Sequence, residues 1–230
     1  MAIVSGAVAH FLIRRPDYTS DFYHYWSATR ALLAGGDPYS SPISGALNPG
    51  RDPALYPLPA YLVTAPFALF PLGIAGGLFM AAGSGFAAWG VARTGMVRAP
   101  LFLSAPFLLS LSLGQWSPWL IAAALVPWLS WLVVAKPNVG LAVWLARPSW
   151  RTALAVAAIL AVSLLVAPRW PWSWLSNLGG REEKFIPLLR PGGFLLVTAL
   201  AAWRRPEGRL LAALSLVPQS LFFYDQLLLW

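Results

Sequence analysis

The sequence predicts an all-α protein whose helices cross a membrane several times. Of its 230 residues, 58% are hydrophobic and only 10% are charged, whereas soluble domains carry about a quarter charged residues. The mean hydropathy is +0.64, and apolar runs recur along most of the chain. The 13 tryptophans suit the membrane–water interface, where an indole ring buries its apolar face and keeps its N–H near water. We therefore expect a multi-pass protein of the cell membrane.

The basic balance of the chain is explained by the membrane and not by nucleic acid. The net charge is +8, and the basic residues are spread over loops, where they orient membrane helices and attract anionic lipid. No cysteine occurs, which excludes disulfides and thiolate metal sites. The two histidines do not predict a metal site, and no phosphate-binding loop or serine elbow occurs. The expected partners are membrane lipids, and no cofactor is expected.

Residues 14–72 are expected to form an outer loop that carries helices at the membrane surface. Residues 1–13, which precede it, are apolar but shorter than the about 20 residues of a straight span, and predict a tilted or truncated first span. From Phe22 to Leu33, apolar residues recur at helical spacing and predict an amphipathic helix that stops before Gly35-Gly36. The run Tyr56–Leu72 contains four prolines, which favour an interfacial or re-entrant helix over a straight span.

We expect residues 1–230 to form a single domain. Within it, residues 73–230 are expected to form the membrane-spanning bundle. The first run of this bundle is rich in glycine and alanine, which favours close packing between membrane helices. A proline near the middle of the third run interrupts its helical pattern. The predicted apolar runs are 74–92, 100–113, 117–135, 139–146, 152–167, 192–203 and 210–230.

Arginines in short loops predict the orientation of these runs. The three arginine clusters, which are expected in the cytoplasm, are Arg93/Arg98, Arg147/Arg151 and Arg204/Arg205/Arg209. The loops 14–72, 114–116 and 169–191 are then expected outside. The stretch 117–146 leaves two alternatives. One full crossing followed by an interfacial piece places Lys136 inside, whereas a short hairpin with Pro127 near its tip places Lys136 outside.

The sequence DFYHYWSATRALLAGGDPY, from Asp21 to Tyr39, resembles the first outer loop of GT-C membrane glycosyltransferases. It is most similar to glycosyltransferase family 87, the polyprenyl-phosphate-mannose-dependent mannosyltransferases. The resemblance implies a GT-C-like fold and inverting transfer of a sugar, mannose in that family, from a polyprenyl-phosphate donor to an outer-face acceptor. Further family features follow in the same order in YPLPAYLVTAPFALFPL (Tyr56 to Leu72), Gly114-Gln115, Lys136-Pro137 and Tyr224-Asp225.

Within this resemblance, Asp21 is the expected catalytic base, because a carboxylate must take the proton of the attacking acceptor hydroxyl. The alternative is an acid that caps the helix or stabilises its dipole, a role that Ser20 and Asp21 could fill equally well. Lys136 is the only basic residue inside an apolar stretch and is expected to hold the donor phosphate; the alternative is a snorkelling lysine at a helix end. The expected substrate-binding residues are His24, Tyr56, Gln115, Lys136 and Asp225.

The chain departs from the family in two respects. Family members are usually far longer than 230 residues, and their Gly-Gln and Lys-Pro pairs are separated by about two helices, whereas the gap here is much shorter. Three alternatives follow: a minimal enzyme, an enzyme whose shortened bundle is completed by a partner protein, or a non-catalytic membrane subunit that packs within a larger complex.

Overall fold

A computed structural model of the protein describes residues 1–15, 20–40, 54–178 and 186–218. Within these ranges the chain forms helices and no strand, which confirms the predicted all-α class. The α-helices are α1 (Ala2–Ile13), α2 (Asp21–Leu33), α3 (Leu58–Ala68), α4 (Leu72–Thr94), α5 (Ala105–Leu113), α6 (Ser117–Leu125), α7 (Pro137–Ala146), α8 (Trp150–Val166), α9 (Trp170–Leu178) and α10 (Pro206–Leu216). Shorter 3₁₀ helices cover Met96–Leu103, Pro127–Ala135, Pro187–Leu189 and Gly193–Ala202.

Helix α4 is the axis of the fold. It has 23 residues and is the one described helix that is long and apolar enough to cross a membrane by itself. Its small residues admit close neighbours: a Cβ atom on Gly77 would lie 3.0 Å from the carbonyl oxygen of Gly6 in α1, and one on Gly83 would lie 2.9 Å from the indole of Trp119 in α6. The glycine-rich run therefore serves close helix packing, as the sequence predicts.

Other apolar segments are bent or short. The 3₁₀ helix Met96–Leu103 continues into α5 with a bend of 60°, and α8 continues into α9 with a bend of 98°. If each bent pair counts as one span, the described residues contain up to three spans. The predicted run 100–113 is thus broken at Ser104, whose hydroxyl accepts the N–H of Phe107 at 3.3 Å and caps α5. Helix α10 ends at Leu216, and the rest of the predicted run 210–230 lies largely outside the described residues.

The run 56–72 does not form one long helix. It contains α3, which is 11 residues long and therefore about 16 Å in length, well short of the hydrocarbon thickness of about 30 Å. A second proline, Pro66, lies inside α3, and Pro71 directly precedes α4. These bounds are consistent with the expected helix that does not span the membrane. Prolines explain why α3 is short, because a residue without a backbone N–H disrupts the interior of a helix.

The stretch 117–135 forms a hairpin and not a single crossing. Helix α6 ends at Leu125, and the 3₁₀ helix that starts at Pro127 runs back, so that Lys136 Nζ comes within 3.5 Å of Gln115 Oε1. At the tip, the Trp128 ring packs against Phe86 of α4 at 5.4 Å between ring centroids. Of the two alternatives for Lys136, the structure selects the hairpin, which places Lys136 at the same end of the molecule as Gln115.

Two groups of loops lie at opposite ends of α4. Beyond its C-terminus, Arg98 pairs with Glu207 at 3.0 Å, and the guanidinium of Arg209 donates to the carbonyl oxygen of Ala146 at 3.0 and 2.7 Å. These contacts bring the three arginine clusters together. Beside its N-terminus, the Trp26 indole N–H donates to the carbonyl oxygen of Phe70 at 3.0 Å. The described parts of the predicted outer loops therefore share the other end.

Candidate functional site

The start of α2 is fixed by Ser20 and not by Asp21. The Ser20 hydroxyl accepts the backbone N–H of Phe22 at 3.2 Å and donates to the carbonyl oxygen of Leu113 at 2.7 Å. It therefore caps α2 and ties this helix to the end of α5. Asp21 is the first residue of the helix, so the capping role that the sequence left open between the two residues belongs to Ser20.

The turn after α5 brings Gln115 to the start of α2. Gly114 ends α5 in the left-handed conformation, with φ at +68°, which glycine adopts without steric cost. A Cβ atom at this position would also lie 2.6 Å from the Cβ of Phe22. The Tyr25 hydroxyl donates to the Gly114 carbonyl oxygen at 3.0 Å. Close approach of the two backbones thus requires glycine at position 114.

Asp21, Gln115 and Lys136 form one hydrogen-bonded group, which we call the polar chain. The Gln115 amide nitrogen donates to Asp21 Oδ2, and the Gln115 amide oxygen accepts from Lys136 Nζ at 3.5 Å. Gln115 is only 2% exposed, whereas Asp21 and Lys136 are half-buried. The polar chain joins the start of α2, the turn after α5 and the residue before α7.

An aromatic layer lies beside the polar chain and includes Tyr56. The Tyr56 ring is 4.6 Å from that of Tyr25, and the Tyr25 ring is 5.9 Å from that of Trp116. The Tyr56 carbonyl oxygen accepts from the Tyr39 hydroxyl at 3.0 Å. Burial, together with the nearby Tyr61 and Asp37, raises the pKa of Tyr39, so this phenol donates as a neutral group. Tyr56 is thus held next to the polar chain through Tyr25.

The two remaining expected substrate-binding residues are His24 and Asp225. His24 lies one turn along α2 from Asp21, half-buried, with its ring 6.3 Å from that of Tyr23. Its contact with a substrate stays a prediction. Asp225 lies outside the described residues, so its role stays a prediction as well. Within the ranges that the structure describes, no group of acidic, histidine or cysteine residues could hold a metal ion.

Asp37, the other described acid of the outer loop, has the turn-forming role that its position before proline predicts. Its Oδ1 accepts the backbone N–H of Tyr39 at 2.9 Å, which closes an Asx turn after α2. Asp37 is exposed, whereas Asp21 is enclosed between three segments. The two carboxylates of this loop therefore differ in environment, and only Asp21 joins the polar chain.

Sequence reasoning missed the residues that assemble the polar chain. Ser20, Tyr25 and Gly114 position Asp21 and Gln115, and only the Ser20-Asp21 pair carried a local signal, that of a helix cap. Two further buried donors, Trp116 Nε1 and Ser117 Oγ, directly follow Gln115 and have no hydrogen-bond partner among the described residues. Because buried polar groups are nearly always paired, such atoms are typical of a site that takes up water or a ligand.

An apolar groove runs along α4 on the surface of the molecule. It has a volume of about 810 Å³ and is lined by Leu78 and Trp89 of α4, Phe67 of α3, Phe70 in the turn after α3, and Trp128 at the tip of the hairpin. Leu78 and Trp89 are eleven residues apart, which corresponds to about 16 Å along the helix. Its length and apolar lining suit a hydrocarbon chain.

No family model, no curated protein and no solved structure matches this chain. The resemblance to glycosyltransferase family 87 therefore rests on the sequence motifs alone.

Proposed function

We propose that this protein is a multi-pass membrane glycosyltransferase of the GT-C type. It moves a sugar, mannose by the family resemblance, from a polyprenyl phosphate to an acceptor at the outer face of the cell membrane. The observation that carries the proposal is the polar chain. Asp21 and Gln115 are 94 positions apart, and Gln115 and Lys136 are 21 apart, yet the three residues that the resemblance singles out separately lie in one hydrogen-bonded group.

The polar chain has the groups that inverting transfer needs. The acceptor hydroxyl attacks the anomeric carbon of the donor, its proton passes to the Asp21 carboxylate, and the bond between the anomeric carbon and the phosphate oxygen breaks. The lipid phosphate leaves with the bonding electrons, and the ammonium of Lys136 stabilises its negative charge. Gln115 contacts both residues and holds the base and the cation at a fixed separation.

Burial supports a base and a cation at this position. Asp21 and Lys136 are half-buried, so each has a side that a substrate can reach. The surrounding aromatic side chains lower the local dielectric, which strengthens the interaction of Lys136 with a developing phosphate charge. The apolar groove along α4 offers a place for part of the isoprenoid chain of the donor, and its lining contains almost no polar surface to reject it.

A second candidate function is a non-catalytic membrane subunit that has kept this scaffold. One observation favours it: each end of the Gln115 amide contacts a protein side chain, and a purely structural network would satisfy a buried amide in the same way. In this case the polar chain fixes the packing of α2 against the hairpin. The exposed leucine and valine side chains of α8 would then contact lipid or a neighbouring protein.

The decisive experiment measures transfer of a labelled sugar from polyprenyl phosphate in vesicles that contain the purified protein. Asp21→Asn removes the base but keeps the size of the side chain. We expect transfer to fall by about two to four orders of magnitude, the usual contribution of a positioned general base, with donor binding retained. Asp37→Asn is the matched control and should change the rate little, because Asn keeps the oxygen that accepts the Tyr39 N–H.

The outcomes separate the two candidates. Equal rates for wild type and Asp21→Asn would remove Asp21 as the base. If the folded wild-type protein transfers no sugar from any of a panel of mannosyl, glucosyl and arabinosyl polyprenyl phosphates, the subunit function is favoured. Purification in a mild detergent then shows whether the chain is recovered alone or with a stoichiometric partner.

A further inference from the structure

A second cleft lies at the outer end of the molecule, away from the polar chain. It has a volume of about 660 Å³ and separates the turn that follows α2 from the 98° bend between α8 and α9. One wall carries Asp37, and the opposite wall carries Arg169 and Ser173. Other residues that line the cleft, among them Leu62 and Val166, are apolar. A ligand of this cleft must therefore have polar groups at one end and apolar groups at the other.

The position of the cleft suits contact with a membrane lipid. The last turn of α8, which leads into the cleft, exposes Leu164, Leu165 and Val166, with 83% of the Leu165 surface accessible. Such a row at the end of an apolar helix suits contact with hydrocarbon. Two residues after Ala167, the exposed Arg169 marks the polar boundary, and basic side chains at this level are typical of the headgroup region. The cleft thus crosses the level at which a phospholipid changes from chain to headgroup.

The charges in the cleft are complementary to a zwitterion. Asp37 uses Oδ1 for the Tyr39 N–H, which fixes the carboxylate and leaves Oδ2 with no described hydrogen bond. The Arg169 guanidinium, with five N–H donors, has no described partner, and it can hold a phosphate through two parallel hydrogen bonds. A purely anionic ligand would be repelled by Asp37, and a purely cationic one by Arg169. A phosphate joined to an ammonium satisfies both walls.

Trp170 supplies an independent observation. This residue lines the cleft and is 6% exposed, and its indole N–H has no acceptor among the described residues. The backbone amides of Trp170, Trp172 and Ser173 already donate to the carbonyl oxygens of Ala167 or Arg169. The indole N–H of Trp170 is therefore a buried donor beside the cleft without a described acceptor, which is costly, and an oxygen that enters from the cleft would relieve this cost.

We propose that this cleft binds the headgroup of an aminophospholipid of the phosphatidylethanolamine type. The phosphate lies against Arg169, on the wall that Trp170 also lines, and the primary ammonium lies against Asp37. The acyl chains follow Val166 towards the hydrocarbon. The inference rests on the membrane location proposed above and not on sugar transfer, so failure of the transferase assay leaves it intact.

The test is native mass spectrometry of the purified full-length protein after addition of phosphatidylethanolamine, phosphatidylcholine and phosphatidylglycerol in equal amounts. Wild type should retain phosphatidylethanolamine in preference to the other two. Arg169→Gln should weaken its binding by at least about tenfold, because it removes the positive charge and at least one of the two hydrogen bonds to the phosphate. Asp37→Asn should bring phosphatidylethanolamine to the level of phosphatidylcholine, whose quaternary ammonium donates no hydrogen bond, and should leave phosphatidylglycerol undiminished. Arg151→Gln, at the opposite end of α8, is the matched control and should change nothing.

Three results would overturn the proposal. The first is equal retention of the three lipids by wild type. The second is an effect of Arg151→Gln as large as that of Arg169→Gln, which would indicate non-specific attraction of lipid to basic residues. The third is displacement of bound phosphatidylethanolamine from wild type by a soluble oligosaccharide but not by phosphoethanolamine, which would assign the cleft to a sugar. Circular dichroism of each variant confirms that the helices are retained.

Discussion

At the scale of the residue, Gln115 connects the two charged groups of the proposed reaction. A carboxamide has donors at one end and acceptors at the other. Gln115 therefore contacts a carboxylate and an ammonium at the same time, which neither an acid nor a base could do. Because this side chain is almost completely buried, it holds Asp21 and Lys136 in place. We assign it a positioning role in the proposed mechanism, in addition to the sugar contact that the resemblance implies.

We expect Gln115→Glu and Gln115→Met to affect the pH dependence of transfer differently. Glutamate places a second carboxylate beside Asp21, and a neighbouring negative charge raises the pKa of a carboxyl group. Because a base acts only when it is deprotonated, the acidic limb of the pH–rate profile should move to higher pH. Methionine keeps the length of the side chain without the charge and, beside Asp21, removes only a hydrogen bond, so its rate should fall and its limb should move in the same direction by a smaller amount. The two profiles are measured by sugar transfer in vesicles.

Thermal unfolding of the same variants provides the control. Both should be destabilised by about 1–3 kcal/mol, because charged partners lose a buried hydrogen bond. A loss of stability alone therefore does not distinguish positioning from packing. Identical pH–rate profiles for Gln115→Glu and Gln115→Met would contradict the positioning role, even if both enzymes were slow.

The sequence predicted the residue types of the polar chain but not their arrangement. Asp21 was singled out by the resemblance to glycosyltransferase family 87, and Lys136 by its position as a base inside an apolar run, where a charged residue is costly. Their hydrogen bonds to Gln115 depend on a close contact between α2 and the turn at Gly114, to which Ser20 and Tyr25 contribute. Such long-range contacts leave no local pattern in a single sequence, so they had to come from the structure.

At the scale of the element, the hairpin formed by α6 and the 3₁₀ helix Pro127–Ala135 determines where Lys136 lies. Its backbone changes conformation at Val126, and such a break is tolerated within a membrane only where protein covers it. Cover is present here, since Val126 and the preceding residues Leu120 to Ala123 are buried. The sequence left a single crossing and a hairpin with Pro127 near its tip as alternatives for this stretch, and the contact between Gln115 and Lys136 decided between them.

The sequence predicted the positions of regular helices better than it predicted the places where helices are interrupted. The periodic pattern of α2 and the length of α4 were read closely from the sequence, because one apolar stripe or one long run suffices. The 3₁₀ helices Met96–Leu103 and Gly193–Ala202 were expected as parts of ordinary spans. Both conformations bury similar apolar side chains, and the choice between them depends on prolines, glycines and tertiary packing.

We expect Gly83→Ala to destabilise the contact between α4 and α6. Alanine normally stabilises a helix interior by about 1 kcal/mol relative to glycine. At this position, however, the new methyl group would lie 2.9 Å from the Trp119 indole, which cannot move because it packs against the rings of Phe79 and Phe86. Overpacking should cost about 1–3 kcal/mol, and thermal unfolding in detergent measures the balance.

A second variant tests the assigned cause. Trp119→Leu removes the ring that the added methyl group would meet, so Gly83→Ala should cost less in this background than in the wild type. The coupling between the two changes is read from a double-mutant cycle. Additive effects would show that Gly83 does not act through Trp119, and a stabilising Gly83→Ala in the wild type would contradict the close packing itself.

At the scale of the whole molecule, the arginines provide two separate arguments for orientation. Counting them in short loops predicts which loops are cytoplasmic, because basic loops resist translocation. The structure then places all three clusters at one end through Arg98 with Glu207 and Arg209 with Ala146. Packing contacts do not depend on translocation. Their agreement with the charge count therefore supports the proposal that α4 crosses the membrane with its C-terminus in the cytoplasm.

The opposite end of the molecule is assembled from segments that are far apart in sequence. The Trp174 indole N–H donates to the carbonyl oxygen of Leu55 at 2.8 Å, and the Asn177 amide donates to that of Ala54 at 3.4 Å. Helix α9 therefore lies on the same end as the loop before α3. If one of these segments is outside, the other must be outside too, which makes the proposed orientation testable with few probes.

The last prediction concerns this orientation and uses the absence of cysteine from the chain, which gives each introduced cysteine a silent background. Ser40 and Ser176 are exposed at the end that carries Asp21, and Pro148 is exposed beside the arginine clusters. We expect Ser40→Cys and Ser176→Cys to react with a membrane-impermeant maleimide in intact cells, because the proposed orientation places both loops outside. Pro148→Cys should react only after the membrane is opened. Labelling of Pro148→Cys in intact cells, or different behaviour of Ser40→Cys and Ser176→Cys, would contradict the orientation and place the polar chain on the wrong side for an outer-face acceptor.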